Sequence, residues 1–403
     1  MRQTSCLFAD GFARIVLAPF GFKPSSSRQK KDPTVSRELT IVHSMDSRLF
    51  NTNTTTYRGS KMIYVGMDIS SKEFVIHAVN ERKKVIFKGS ILPTKKAIRE
   101  LVADLGIETK IFVFEAGNQM KWLATYFKKL GEEIHIVHPN EVKWIAESGG
   151  KKTDQVDAKK LAELARADML PRRVHVADGD ARTLRELTAA RESLLRKRVS
   201  LMNSLRGYLR QEGVRLPAKF FTSNDWQIKL IDMNLSTALE VIVANFMNTI
   251  ENMVESEKAI LHEITQIKNE TIERIETIPG IGKLNARVLF GAIAEAERFD
   301  NSKCVANYGA LSPTIYQSGD DLRMGSITRS GRSEIRRAML QSAHAIARMK
   351  STGAQPLLEF FRRIESKRGK KRALIALSRK LLTIVYAVWK SEEVYNPKFL
   401  KSA

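Results

Sequence analysis

The sequence predicts a mixed α/β domain, a long helical hairpin after it, and a mostly helical C-terminal domain. Three observations carry this reading. Short apolar runs separated by turn residues fill positions 62–137, a heptad spacing runs from Leu184 to Tyr208, and glycine-rich turns punctuate helical patterns beyond Thr271.

The elements follow in order. Ile63–Asp68 reads as a strand, and Glu73–Val79 alternates through Phe74, Ile76 and Ala78. Lys84–Lys88 completes a set of three strands, after which Thr94 stands where a helix N-cap belongs. Lys110–Glu115 leads into a helical Asn118–Leu130, and the short strand Glu133–Val137 is closed by Pro139. Three antiparallel strands followed by alternating helix and strand predict a mixed sheet. Helical character sets in again at Lys159–Ala167. Leu184, Leu187, Arg191, Leu194, Arg198, Leu201, Leu205 and Tyr208 are spaced alternately by three and four, with six of the eight apolar. A similar spacing from Leu235 to Ile267, with Pro217 and Ser223 between, predicts the second half of a hairpin. An intramolecular coiled coil and a dimerisation arm both fit it. Thr271–Met349 reads as helices with glycine-rich turns, and Gln355–Trp389 as a basic helical tail. The domain boundaries expected are therefore 62–170, 171–270, 271–350 and 351–403.

Residues 1–61 show no sustained period and read as a disordered leader, a wrongly assigned start upstream of Met62, or a transit peptide. The whole chain of 403 residues carries 67 Lys+Arg against 44 Asp+Glu, a net charge of +23, of which +17 remains on residues 62–403. A polyanion is the natural partner of such an excess. The longest apolar run, Leu381–Trp389, is too short for a membrane span, so a membrane role is excluded on the sequence. Cys6 and Cys304 give neither a disulfide framework nor a cysteine zinc site, which suits a reducing cytoplasm.

Four carboxylates stand where a sheet of this kind would gather them. Asp68 ends the first strand and Glu115 a later one, while Asp154 and Asp157 are three apart and share a helix face. Clustered carboxylates need cations, and oxygen-only ligands suit Mg²⁺ or Mn²⁺, a pair of which stabilises the attacking and leaving oxygens of a phosphodiester displacement. In Ile278-Pro279-Gly280-Ile281-Gly282-Lys283, between two helical stretches, the glycines free backbone N–H groups for a phosphate, as in a helix-hairpin-helix element. Gln317-Ser318-Gly319 is followed by Arg323, Arg329, Arg332, Arg336 and Arg337. A serine needs a base or cationic surroundings to attack phosphorus, so from the residues alone Ser318 reads equally as a turn residue. The arginines after it suit nucleic-acid phosphates.

With these pieces in order, Met62 to about Arg348 resembles the DEDD transposases of the insertion-sequence 110 family. The resemblance rests on Gly66-Met67-Asp68-Ile69-Ser70, Phe114-Glu115-Ala116-Gly117, the Thr-Asp-Gln-Val-Asp-Ala run through Asp157, Ile278-Pro279-Gly280-Ile281-Gly282, and Tyr308-Gly309-Ala310-Leu311 leading to Gln317-Ser318-Gly319. It implies a RuvC-like, RNase H-type fold for the first domain, joined by a coiled coil to a helical transposase domain. It also implies that Asp68, Glu115, Asp154 and Asp157 bind Mg²⁺ and that Ser318 is a nucleophile forming a phosphoserine link to DNA. Dimers assembling into a tetramer, a composite site between subunits, and a structured guide RNA from the element's noncoding end are implied in the same way. Gly280, Gly282, Lys283, Arg323, Arg329 and Arg332 are the expected DNA contacts. One departure stands out: Ser71 separates Ser70 from Lys72 where the lysine is expected directly after the first serine. Two other functions fit the same residues: a Holliday-junction-type nuclease of this fold using water, and a non-catalytic nucleic-acid scaffold.

Overall fold

A computed structural model of the chain describes residues 62–145, 153–318, 321–328, 330–350 and 352–397. The expected leader and Arg329 lie outside the described residues.

The first domain is a five-stranded sheet between helices. β1 (Met62–Ile69), β2 (Phe74–Asn80) and β3 (Val85–Ile91) form an antiparallel meander; α1 (Lys95–Asp104) leads to β4 (Thr109–Glu115), and α2 (Met120–Leu130) to β5 (Glu133–Val137). The order is β3-β2-β1-β4-β5, with β4 parallel to β1 and β5 parallel to β4. Thr94 caps α1 as expected, its hydroxyl accepting from the Ala97 amide at 3.2 Å. Pro139 opens α3 (Pro139–Ile145), because proline costs nothing where a first-turn N–H would be unpaired. α4 (Asp154–Arg166) starts five residues before the expected onset at Lys159, held by Thr153, whose hydroxyl accepts from Val156 N at 3.3 Å. This mixed sheet with its helices fits an RNase H-like domain.

Side-chain alternation sorts the strands onto two faces. Ile63, Val65, Met67, Phe112 and Phe114 pack with Ile98, Leu101, Leu123 and Phe127 of α1 and α2. On the other face Tyr64, Ile111 and Val113 meet Leu161 and Ala165 of α4.

An extended segment then leads to a helical hairpin made of α5 (Gly179–Gln211), the short α6 (Trp226–Ile231) and α7 (Thr237–Gln266). At 33 residues α5 is about 50 Å long. Arg198 pairs with Glu257 and Tyr208 meets Phe246 edge-on, so α5 and α7 run antiparallel. Leu184 and Leu205 of the heptad are buried, whereas Leu187, Leu194 and Leu201 between them are only half-buried. A small core of Leu205, Leu209, Phe220, Leu230, Leu239 and Val243 closes the far end.

The last region contains α8 (Glu270–Glu276), α9 (Lys283–Ile293), α10 (Ser302–Tyr308), the strands β6 (Pro313–Ser318) and β7 (Asp321–Ile327), α11 (Ser333–Ile346), α12 (Gln355–Arg368) and α13 (Lys370–Ser391). Two features depart from the expected string of helices with a basic tail. β6 and β7 form an antiparallel hairpin inside the stretch read as helical. None of the hairpin's described side chains is buried, so burial imposes no clear period-2 pattern on them. The segment expected as a tail supplies Leu377, Leu381, Leu382, Val385 and Val388 to the same core as α9 and α11; its basic residues are one face of a packed helix. Among the described residues, no helix is long and apolar enough to cross a membrane.

Candidate active site

Register and alternation together bring the first two acids to one place. Met67 of β1 lies opposite Phe114 of the parallel β4, so Asp68 and Glu115 are the next neighbours along the ladder, at the carboxyl ends of adjacent strands. Odd-numbered residues of β1 and even-numbered residues of β4 face α1 and α2, so both acids face α4. In open α/β sheets this strand end is where ligands bind.

Gly66 fixes α4 over the same place. A Cβ on Gly66 would run into the Ala158 carbonyl oxygen and lie 2.6 Å from the Ala162 amide nitrogen, so β1 and α4 touch backbone to backbone. Asp157 precedes Ala158, and with Asp154 it occupies the first turn of α4. Asp68, Glu115 and Asp157 are half-buried and Asp154 is exposed. Among the described residues no three His, Cys, Asp or Glu side chains converge closely enough to hold a metal ion. Carboxylates gathered at one strand end repel each other; their oxygen-only donor set is the one hard divalent cations take.

Gln119, which the sequence reading passed over, ties the loops behind the acids together. Its side-chain amide donates to the Ser70 carbonyl, two residues past Asp68, and its own carbonyl oxygen accepts from Trp122 Nε1 at 3.2 Å. The Ser70 hydroxyl accepts from Lys72 N and Glu73 N and donates to the Glu73 carbonyl, so the loop after Asp68 closes on itself. A glutamine four residues past Glu115, at the start of a helix, is the sequence feature that points to this clamp.

Ser318 lies on a different element. It ends β6, paired with Asp321 across two intervening residues that lie outside the described ones. Arg323, opposite Tyr316, is exposed and stands 3.6 Å from Asp321. The base of the hairpin is pinned instead: Thr328 N donates to the Ser312 carbonyl at 2.9 Å and Arg332 N to the Tyr308 carbonyl at 2.7 Å. Arg332, expected to meet DNA, is half-buried and donates from Nε to the Tyr308 hydroxyl at 3.0 Å and from Nη1 to Glu334 at 3.2 Å. Burial pushes the Tyr308 hydroxyl up, but Arg332, Arg298 and Arg185 around it prevail and bring it below its ordinary pKa. In the sequence, Tyr308 is marked by the Tyr-Gly-Ala-Leu run and Arg332 as an expected DNA contact, but nothing joins the two.

The Pro279–Lys283 turn joins α8 to α9. Gly280 has φ +80, and a Cβ there would meet the Ser342 carbonyl oxygen at 2.8 Å, so the turn requires glycine and seats on α11. Gly282 caps α9 without a side-chain bond, and it and Lys283 are exposed, which leaves first-turn N–H groups open to an anion.

Comparison with known proteins adds a separate line of evidence. A family model described as "Transposase", for DEDD transposases of IS110 elements, matches residues 65–213, and one described as "Transposase IS116/IS110/IS902 family" matches residues 272–357. The chain is 25% identical over 342 residues to a transposase for insertion sequence element IS1111A of Coxiella burnetii, covering 82% of this chain and 91% of the relative. It is 29% identical over 293 residues to a pilin gene-inverting protein of Moraxella bovis, covering 68% and 80%. A putative transposase of Sinorhizobium fredii is 25% identical over 344 residues, covering 83% and 86%.

Proposed function

The chain belongs to the IS110 family of transposases and is a DNA transposase and recombinase, and from that premise we propose that it exchanges strands through a serine-linked intermediate formed beside an acid-lined metal site. The observation that carries the reading is the adjacency of Asp68 and Glu115 on the sheet face that packs against α4, whose first turn carries Asp154 and Asp157. Asp68, Glu115, Asp154 and Asp157 would hold Mg²⁺ or Mn²⁺. When bound, such an ion neutralises phosphate charge and polarises a phosphoryl oxygen.

The chain's own residues do the rest. The Ser318 hydroxyl attacks phosphorus; the bond to the deoxyribose oxygen breaks as the bond to Oγ forms, and the proton passes to the departing oxygen. One phosphate ester replaces another, so a second strand's hydroxyl can reverse the step and release the serine. Lys283 with the Gly280–Gly282 turn holds DNA backbone, as do Arg323 and Arg329, while Arg332 reaches it through its free edge and otherwise braces the hairpin base against Tyr308.

Because Ser318 sits on a hairpin of the C-terminal region and the acids on the first domain, the site is composite: the acid end of one subunit meets the hairpin of another, within dimers that assemble as a tetramer and pair through the α5–α7 arm. A structured RNA from the element's noncoding end selects target and donor DNA, consistent with the chain's net charge of +23.

The test is incubation of the protein with donor DNA, the element-end RNA and Mg²⁺, followed by denaturing electrophoresis. A protein–DNA adduct is expected that disappears in Ser318→Ala and without Mg²⁺. An adduct that persists in Ser318→Ala overturns the serine assignment, and hydrolysed ends without any adduct mean that water is the nucleophile. Recombination surviving both Asp68→Ala and Glu115→Ala removes the acid site altogether.

A further inference from the structure

A cleft of about 540 Å³ opens between α5, α9 and α11, and none of Asp68, Glu115, Asp154 and Asp157 lines it. Arginines dominate its wall: Arg185, Arg191 and Arg196 come from α5, and Arg332 and Arg337 from the start of α11. Two glutamates, Glu192 and Glu334, are its acidic residues.

The charge is incompletely neutralised. Arg185 spends its guanidinium on backbone, donating to the Gly291 and Ala292 carbonyls at 2.9 Å each. Arg191 Nε is buried with no hydrogen-bond partner among the described residues, a costly condition for a cation's donor. Glu192 is shared by two arginines at slack distances, 3.7 Å from Arg196 Nε and 3.4 Å from Arg337 Nη2. A tight charge-assisted bond is about 2.7–2.9 Å. The carboxylate therefore stands where a phosphate would find two guanidiniums already aimed.

Two helix starts add to the field. Leu284 and Asn285 of the first turn of α9, and Ser333 and Glu334 of α11, line the cleft, and neither helix has a side-chain cap on its N–H groups. The floor is apolar, formed by Leu195, Leu284 and Val288.

We propose that this cleft is a second nucleic-acid site, which holds the sugar–phosphate backbone of a single DNA strand. Its volume admits a stretch of one backbone and not a duplex. Phosphates meet Arg196 and Arg337 at the rim and Arg191 deeper in the cleft, while deoxyribose faces Leu284 and Val288. Ribose would leave a 2′-hydroxyl unpaired against that floor, so DNA is favoured over RNA. The site rests on DNA being the substrate and not on chemistry at Ser318, so it stands if the adduct experiment fails.

The test uses the full chain and a labelled single-stranded DNA oligonucleotide, with binding followed by anisotropy over a salt series and an RNA of the same sequence in parallel. Arg191→Ala combined with Arg337→Ala is expected to weaken DNA binding at least about tenfold at low salt. The dependence of log affinity on log salt becomes shallower by about 0.7 for each lost phosphate contact. Glu192→Gln releases both guanidiniums and tightens binding, a gain that misfolding cannot produce. Parent-like affinity and salt dependence in the double variant, no tightening in Glu192→Gln, or a loss confined to RNA each overturns the proposal.

Discussion

The acid end of the first domain and the hairpin carrying Ser318 are held in place by different means. Asp68 and Glu115 sit on strands whose neighbours are fixed by a parallel ladder, by packing on both faces, and by a backbone-to-backbone contact at Gly66. Ser318 sits at the end of two strands that pair only with each other in the sheet and have no buried side chain among the described residues, with Ile315 and Tyr316 exposed at 60% and 66%. Groups that must hold a fixed geometry belong on the first kind of support. If Ser318 is the nucleophile proposed above, delivered to DNA and across to a second subunit, it gains from the second kind, provided its base is anchored. The Tyr308–Arg332 contacts and the Thr328–Ser312 bond supply that anchor.

Substitution of Gly66 should break the rigid side most severely. Gly66→Val forces α4 off β1, and overpacking of this kind costs about 3 kcal/mol, more if α4 cannot slide. Denaturant unfolding should show a stability loss of that order, and strand exchange should fall by more than stability alone explains, because Asp154 and Asp157 move with α4. A variant with parent-like stability would mean that the contact at Gly66 does not seat the helix.

The matching change on the hairpin should be local and smaller. A Cβ on Gly325 would run into Thr314 Oγ1, which donates to the Ser326 carbonyl at 3.0 Å across the strands. Gly325→Ala should cost about 1 kcal/mol, read as faster amide exchange over 313–327 with an unchanged global melting point. Formation of the serine adduct should slow about tenfold, since the tip is presented less often in its paired form. If the global midpoint falls as far as it does for Gly66→Val, the hairpin is part of the core and the contrast between the two supports disappears.

The same contrast explains what could be read from the chain. The sheet is legible because alternation in Phe74, Ile76 and Ala78 and the apolar run after Met62 are local consequences of burial, and Thr94 is a local cap. Asp154 and Asp157 could be put on one helix face by spacing alone. The onset of α4 at Asp154 is hard to read because its first turn is mostly polar, with Val156 exposed, and the buried apolar positions begin only at Ala158. The basic residues at the start of α13 point to a solvated helix, while the apolar run Leu381–Trp389 is the local sign of burial; Leu381, Val385 and Val388 join the core formed with the helices around them, α10, α11 and α12 among them. The Gln119 clamp joins positions 49 residues apart, and the Tyr308–Arg332 bond joins positions 24 apart, distances over which no periodicity speaks.

The smallest effect concerns the strip between the two regions, where alternate residues serve different sides. Val174 and Val176 pack on the first domain's core, with Val174 N donating to the Ile136 carbonyl at 2.7 Å, while Ala177 belongs to the helical core. His175 lies between them with a buried Nε2 that has no hydrogen-bond partner among the described residues. Burial first, and then Arg298 beside it, hold its pKa below the ordinary 6.5. A base whose folded pKa is depressed is neutral in the fold while the unfolded chain already binds a proton, so more protons are bound on unfolding and stability rises with pH in that window. The contribution is complete above pH 6.5 and is lost progressively as pH falls from 6.5 toward the depressed folded value. Melting midpoints measured from pH 7.5 downward should therefore decline below 6.5, and His175→Leu should flatten that part of the decline. An unchanged slope in His175→Leu would place the acid sensitivity elsewhere and leave the strip as packing alone.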